Sequence, residues 1–249
     1  MATSDFICVI DGSTSKTARR WRQDMTNGRY CMTLVSEYVR RCPPESSMEQ
    51  FCTSVTETVR RIYRDEDIPR LEEHPEERAT ASCIVYSRQR NEIWMIGDCS
   101  CAVDGIHYDN PKPYEAAHAR KRAVILRALL DSGRYTEEEL LADDIGRAAI
   151  VGEIVSSMRW QNKTYAVVDG FPILLEKVRT IDLDSVPHTV IMATDGYPYV
   201  LPTLKESEEA LLRQKRDDPL NIRSFYATKA FIAGNNSFDD RSYIRFTIP

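Results

Sequence analysis

The stretch TASCIVYSRQRNEIWMIGDCSCAVDG, Thr80 to Gly105, decides how the rest of the chain is arranged. Two apolar runs, 81–86 and 93–96, flank the polar segment Ser87–Glu92. Short apolar runs bounded by turn-forming residues read as buried strands, and a short polar connection between two of them reads as a hairpin. A hairpin fixes an antiparallel pair, because parallel neighbours need a crossover of a dozen residues or more. Gly97-Asp98 ends the tight apolar part, and Asp104-Gly105 makes a further turn.

Working outward, Phe6–Ile10 is another buried strand, closed by Asp11-Gly12. Residues 17–41 carry a helical pattern with a weak point at Asn27-Gly28, stopped by Pro43-Pro44. Ser46 or Ser47 caps a second helix, in which Met48, Phe51, Val55, Val59, Ile62 and Tyr63 recur at spacings of three and four. Residues 69–79 read as a polar loop. Two long helices are predicted over 114–132 and 136–158, separated near Gly133. TYAVVDGFPILL (164–175) reads as a second hairpin turning at Asp169-Gly170. HTVIMATDGYP (188–198) is an apolar strand ending in Asp195-Gly196; 203–217 is helical, and DDRSYIRFTI (239–248) supplies a last strand. Hairpin-joined strands argue against a parallel, doubly wound sheet. The expected class is α+β, a single domain over 1–249, with two antiparallel sheets packed together and helix pairs outside.

Bulk properties narrow the function. The chain has 249 residues, 42% hydrophobic and 29% charged, with a net charge of −5. Such a balance favours neither nucleic acid nor a membrane surface as partner. No apolar run approaches the roughly 18 residues of a membrane span, and the N-terminus has no leader pattern, so a cytoplasmic location is expected. Seven cysteines are scattered, with only a C-x-C at Cys99 and Cys101, and the four histidines are scattered too. Zinc has little support, and buried thiols are the expectation. Trp21, Trp94 and Trp160 read as packing residues, and His118 as structural.

The acidic residues show a pattern. Asp11, Asp98 and Asp195 each follow an apolar strand, and Asp239-Asp240 precede one. A solitary strand-end aspartate is ordinarily a turn residue. Four that converge on one edge repel one another unless a cation compensates, and hard ions such as Mg²⁺ or Mn²⁺ take oxygen ligands. The segment Asp11–Lys16 (DGSTSK) admits a second chemistry, with its hydroxyls and Lys16 cradling a nucleotide phosphate.

In order and spacing these motifs resemble the metal-dependent protein phosphatases of type 2C. The resemblance rests on VIDG at Asp11-Gly12, ATAS at 79–82, IGDCS at Asp98, DNPKPYEAAHARKRAVI at 109–125, ATDG at Asp195 and DDRS at Asp239. It implies an α-β-β-α sandwich and a binuclear Mn²⁺ or Mg²⁺ site activating water against a phosphoric monoester, on a phosphorylated protein or a small phosphoester. By position, Asp11 would bridge the two ions, the Gly12 carbonyl would contact one, Asp195 and Asp239 would complete the pair, and Asp98 would match a third, looser ion.

The chain departs from that pattern. No arginine lies upstream of Asp11, where the family grips the substrate phosphate; Lys16, Arg19 or Arg20 stand nearest as substitutes. Asp-Gly-His is Asp-Gly-Ser here, the arginine of Gly-Asp-Ser-Arg is Ser100, and a family acidic position is Tyr199. Two other readings stand beside the hydrolase. One is a catalytically inactive phosphatase-like binding or regulatory protein. The other is an actin-like-fold ATP-dependent kinase built on Asp11–Lys16; its loop expects a residue between Asp and Gly, and here there is none.

Overall fold

The computed structural model describes residues 1–232 and 234–249. The Thr80–Gly105 stretch forms β2 (Ala81–Ser87) and β3 (Glu92–Ile96), then crosses to β4 (Ser100–Val103) and β5 (Ile106–Tyr108). With β1 (Phe6–Gly12), β6 (Arg179–Asp182), β7 (His188–Ala193) and β8 (Tyr243–Ile248) these make two four-stranded sheets, ordered β1-β2-β3-β6 and β5-β4-β7-β8. Every pairing is antiparallel.

Alternation explains why β1, β2 and β3 of the first sheet are largely apolar. Phe6, Cys8, Cys83, Val85, Trp94 and Ile96 point to one face, where α1 (Asn27–Val39) and α2 (Met48–Arg60) cover them with Val35, Phe51 and Val55. Ile7, Val9, Ile84, Tyr86, Ile93 and Met95 point to the other face and meet Val190 and Met192 of β7 between the sheets. Both faces of β1, β2 and β3 are buried, so their central positions carry apolar residues without polar alternation. The outer face of the second sheet packs Ala102, Ile191 and Ala193 against Tyr197 and Val200. The remaining helices are α3 (Ile68–Glu73), α4 (Glu115–Asp131), α5 (Glu137–Ala142), α6 (Ile145–Ser157) and α7 (Leu204–Asp217). Around α4, Ala123 and Leu126 form a separate core with Leu140, Leu220, Ile222 and Ala230.

Local chemistry sets the helix starts. Ser47 and Gln50 form a reciprocal capping box on α2, as do Thr136 with Glu139 on α5 and Thr203 with Glu206 on α7. The helix expected over 17–41 begins only at Asn27, capped by Thr26. Its first ten residues are held elsewhere: Trp21 Nε1 donates to the Glu77 carbonyl and Trp21 N to Asn27 Oδ1. The crossing is tight, since a Cβ on Gly12 would lie 2.4 Å from the Gly28 carbonyl oxygen.

Three other expectations are corrected. Residues 69–79 are not a plain loop but contain α3 and a turn of 3-10 helix at Pro75–Glu77, with Leu71 buried. The helix over 136–158 is broken at Asp143-Asp144, because Asp144 accepts from Arg147 N as a cap and also pairs with Arg122. The 164–175 hairpin is absent: Val168 bridges Ala81, and the buried Asp169 carboxylate receives Arg78 Nη1 at 2.8 Å. The short, polar β6, which sequence reading passes over, pairs instead with β3.

All seven cysteines are buried and unpaired. Trp94 is buried, while Trp160 is 40% exposed. No helix among the described residues is long and apolar enough to cross a membrane.

Candidate functional site

Register brings the strand-end acids together. Ser100 of β4 lies opposite Ala193 of β7. Asp98 lies two residues before the first and Asp195 two after the second, so antiparallel geometry sets them at one level. Tyr243 of β8 also lies opposite Ala193, which carries Asp239 and Asp240 to the same end of the sheet. In the other sheet Asp11 pairs with Ser82, and Cys83 with Ile96. Residues 97–99 then pass from one sheet to the other, placing Asp98 at the seam. Gly97 makes that passage with φ +96°, and a Cβ there would lie 2.2 Å from Ser82 Oγ. Ser82 Oγ donates to Asp98 Oδ1 at 2.7 Å.

Asp11, Gly12, Asp98, Asp195, Asp239 and Asp240 thus line one cleft. Glu115, the first residue of α4, joins them: single carboxylate oxygens of Asp98, Glu115 and Asp195 lie within 4.8 Å of one another. Sequence reading gives Glu115 no role, because an acid in the first turn of a helix ordinarily answers the helix dipole.

The electrostatics record the crowding. Burial, then Asp98, Asp240 and Asp239, push the Asp11 carboxyl up to about 6. Burial, then Asp98 and Asp11, hold Asp195 well above the usual carboxylate range. Asp195 Oδ1 is buried without a hydrogen-bond partner among the described residues. Burial also raises Glu115, although Lys112 opposes it. Asp98 differs. Burial acts to raise it, but the Lys112 ammonium in direct contact and the Ser82 hydroxyl bring it below the ordinary value. Lys112 is itself held well above the lysine range: burial acts to lower it, and Asp98, Glu115 and Asp195 prevail. Asp239 is paired with Lys229.

The proposed phosphate-gripping residues separate. Lys16 lines the cleft, and burial, then Arg147, Lys229 and Lys112, lower its ammonium to about 8. Arg19 is not among the residues that line the cleft. Its guanidinium reaches Asp67 at 2.5 Å and Glu77 at 3.2 Å, and it stacks 4.4 Å over the Trp21 ring. Arg20 is exposed and donates to the Thr17 and Arg19 carbonyls. His118, read as structural, lines the cleft on the α4 side, whereas Tyr199 is 41% exposed and outside it.

The donors fit hard divalent cations. They are all oxygens, several are raised by burial and then by mutual repulsion, and one buried oxygen lacks a partner among the described residues. Ser13–Lys16 lie on an irregular crossing, not at a helix N-terminus, so the nucleotide-loop reading loses the dipole that such a loop uses.

Fold and cleft define a two-sheet sandwich with an acidic centre where the sheets meet. No protein-family model and no curated protein matches the chain. Solved structures do resemble it. The catalytic domain of the serine/threonine protein phosphatase PstP in complex with two manganese ions is 14% identical, over 86% of this chain and 76% of that one, with a TM-score of 0.38. The Mycobacterium tuberculosis serine/threonine phosphatase PstP/Ppp is 13% identical over 86% and 77%, with a TM-score of 0.36. PppA, a key regulatory component of the T6SS in Pseudomonas aeruginosa, is 12% identical over 82% and 71%, with a TM-score of 0.41. These superpositions are loose, and the architecture stands on the strand order and registers above.

Proposed function

We propose that the chain is a single-domain, divalent-metal-dependent phosphoric monoester hydrolase of the type 2C kind, acting on a phosphorylated serine or threonine in a protein or on a small phosphoester. One observation carries the reading: strand-end carboxylates from both sheets crowd one cleft, and a buried Asp195 oxygen there has no partner. Asp11, the Gly12 carbonyl, Asp195 and Asp239 would hold a pair of Mn²⁺ or Mg²⁺ ions; Asp98, with Glu115 beside it, would serve a looser third. Such ions, when bound, lower the pKa of a shared water and neutralise phosphate oxygens. The chain's own residues supply the rest. Ser82 and Lys112 fix the Asp98 carboxylate, and Lys229 fixes Asp239.

The test is hydrolysis of an aryl phosphate by the full chain with Mn²⁺, Mg²⁺ or chelator. Metal-dependent turnover that disappears in Asp11→Asn and Asp239→Asn is expected. Turnover that survives both variants rejects the assignment. A second reading, a phosphatase-like binding protein without catalysis, draws on Lys112, whose ammonium already compensates Asp98. Stabilisation by Mn²⁺ without turnover would favour it.

A further inference from the structure

Two cations on the cleft wall have no carboxylate within ion-pair distance among the described residues. Lys16, on the crossing after β1, makes no hydrogen bond or ion pair among the described residues, although it is half-buried. Arg147, in the first turn of α6, faces the same cleft. Its Nη1 donates to the Thr228 carbonyl at 2.8 Å, and no carboxylate lies within ion-pair distance among the described residues. The nearby Asp144 does not serve it: both Asp144 oxygens accept from Arg122, at 2.7 to 3.1 Å, while Oδ1 also caps α6. The other cations of the cleft are already matched, Lys112 with Asp98 and Lys229 with Asp239.

Half-buried like charges repel and lose hydration, so a fold that holds two of them unmatched in one concavity is completed by an anion. An arginine fork suits the oxygens of a phosphate, and a lysine adds a compact point charge. The acids line the same cleft as this pair, so a ligand held there is within reach of both the cations and the candidate metal centre.

We propose that Lys16 and Arg147 together grip the phosphoryl group of the substrate, one from the β1–α1 crossing and the other from α6. The proposal rests on the hydrolase reading and names its substrate chemistry: a dianionic phosphate monoester, bound through non-bridging oxygens. The mutual repulsion is visible in Lys16, whose ammonium is lowered first by burial and next by Arg147. Burial likewise lowers Arg147.

The test is calorimetric titration of the full chain with inorganic phosphate, in Mn²⁺ and separately in chelator, alongside aryl phosphate kinetics. Lys16→Met and Arg147→Met are each expected to weaken phosphate binding about 10- to 100-fold and to raise KM, the loss of one charge-assisted contact. Lys16→Arg and Arg147→Lys should recover most of it. The recovery also separates lost charge from a loosened Thr228 contact. Stabilisation by Mn²⁺ alone should be unchanged in all four variants. If the parent binds phosphate in neither medium, or the methionine variants bind it like the parent, the proposal is overturned. If Mn²⁺ fails to stabilise the parent, the metal reading falls separately; phosphate binding in chelator, lost on Lys16→Met and Arg147→Met, would still uphold the cation pair.

Discussion

Asp169-Gly170 and Asp195-Gly196 look alike in sequence, each following a run of apolar residues, yet the fold treats their carboxylates in opposite ways. Asp169 is fully buried with both oxygens hydrogen-bonded, although burial still holds its carboxyl above the usual range against Arg78. Arg78 Nη1 donates to Oδ2 at 2.8 Å, while Asn162 Nδ2 and Phe171 N donate to Oδ1 at 2.9 and 3.0 Å. The Arg78 guanidinium also lies 3.8 Å from the Phe171 ring centroid. Asp195 is answered mostly by other acids, and its Oδ1 has no donor. Burial costs a carboxylate the same hydration in both places. What differs is the origin of the compensating charge. The chain brings it to Asp169 from 91 residues away, while at Asp195 the Lys112 ammonium opposes burial and the acids Asp98 and Asp11 but does not prevail. A buried acid the chain has matched is part of the scaffold. One surrounded by other acids is where the proposed metal reading places an ion.

The comparison breaks first at Asp169. Asp169→Ala strands the Arg78 guanidinium, whose side chain is 8% exposed. Urea unfolding should show a loss of about 3–5 kcal/mol. A loss within the ordinary range of surface substitutions, about 0.5 kcal/mol, would mean that the pair does not hold the scaffold.

Asp195 should respond to metal. Mn²⁺ at about 100 times its Kd stabilises a one-site protein by about 2.7 kcal/mol. Thermal unfolding of the parent should show a shift of that order, and Asp195→Asn should show none. An equal shift in both proteins would place the ion elsewhere. In chelator the sign reverses. Asp195→Asn removes a charge from a repulsive cluster, so the metal-free variant should be more stable than the parent by about 0.5–2 kcal/mol, a gain typical of relieved strain at a functional site. If it is less stable, Asp195 is already satisfied within the chain and the contrast with Asp169 is lost.

Much of this contrast was hidden in the sequence for a definite reason. The central strands were legible because they are buried on both faces, so Ile84–Tyr86 and Ile93–Ile96 read as apolar runs with polar ends. The acidic edge was legible because Asp11, Asp98, Asp195 and Asp239 all stop or start such runs. Partners distant in sequence were not. Nothing near Asp169 points to Arg78, and the Asp-Gly pair reads as a hairpin turn. Glu115 and Arg147 lie in first turns of helices, where any charged residue is unremarked until the helix is aimed at a cleft. The false helix over 17–26 has the same origin, because Trp21 and Arg19 are claimed by Glu77 and Asp67 far along the chain.

The smallest expected effect lies at the surface, where the rule of matched charge can be read by pH. The His188 ring is placed between Asp104, 2.7 Å from Nδ1, and Asp184, 2.9 Å from Nε2. The Asp104 hydrogen bond first, then Asp184, raise its pKa above the usual histidine value. A group whose pKa is raised on folding adds stability that is complete below its unfolded value, about 6.5, and is lost as pH rises through the folded value. The two carboxyls, lowered by hydrogen bonds from the Thr189 and Val186 amides and from the ring, contribute above the ordinary carboxylate range and lose that contribution in acid. The cluster is therefore most stabilising between those limits. His188→Gln should destabilise the protein more near about pH 5.5 than near about pH 8.5, and the His188 ring resonances should titrate above those of a free histidine. A titration at or below the free value would show that carboxylates on both sides are not enough to hold a proton at the surface, where water and salt compete with them.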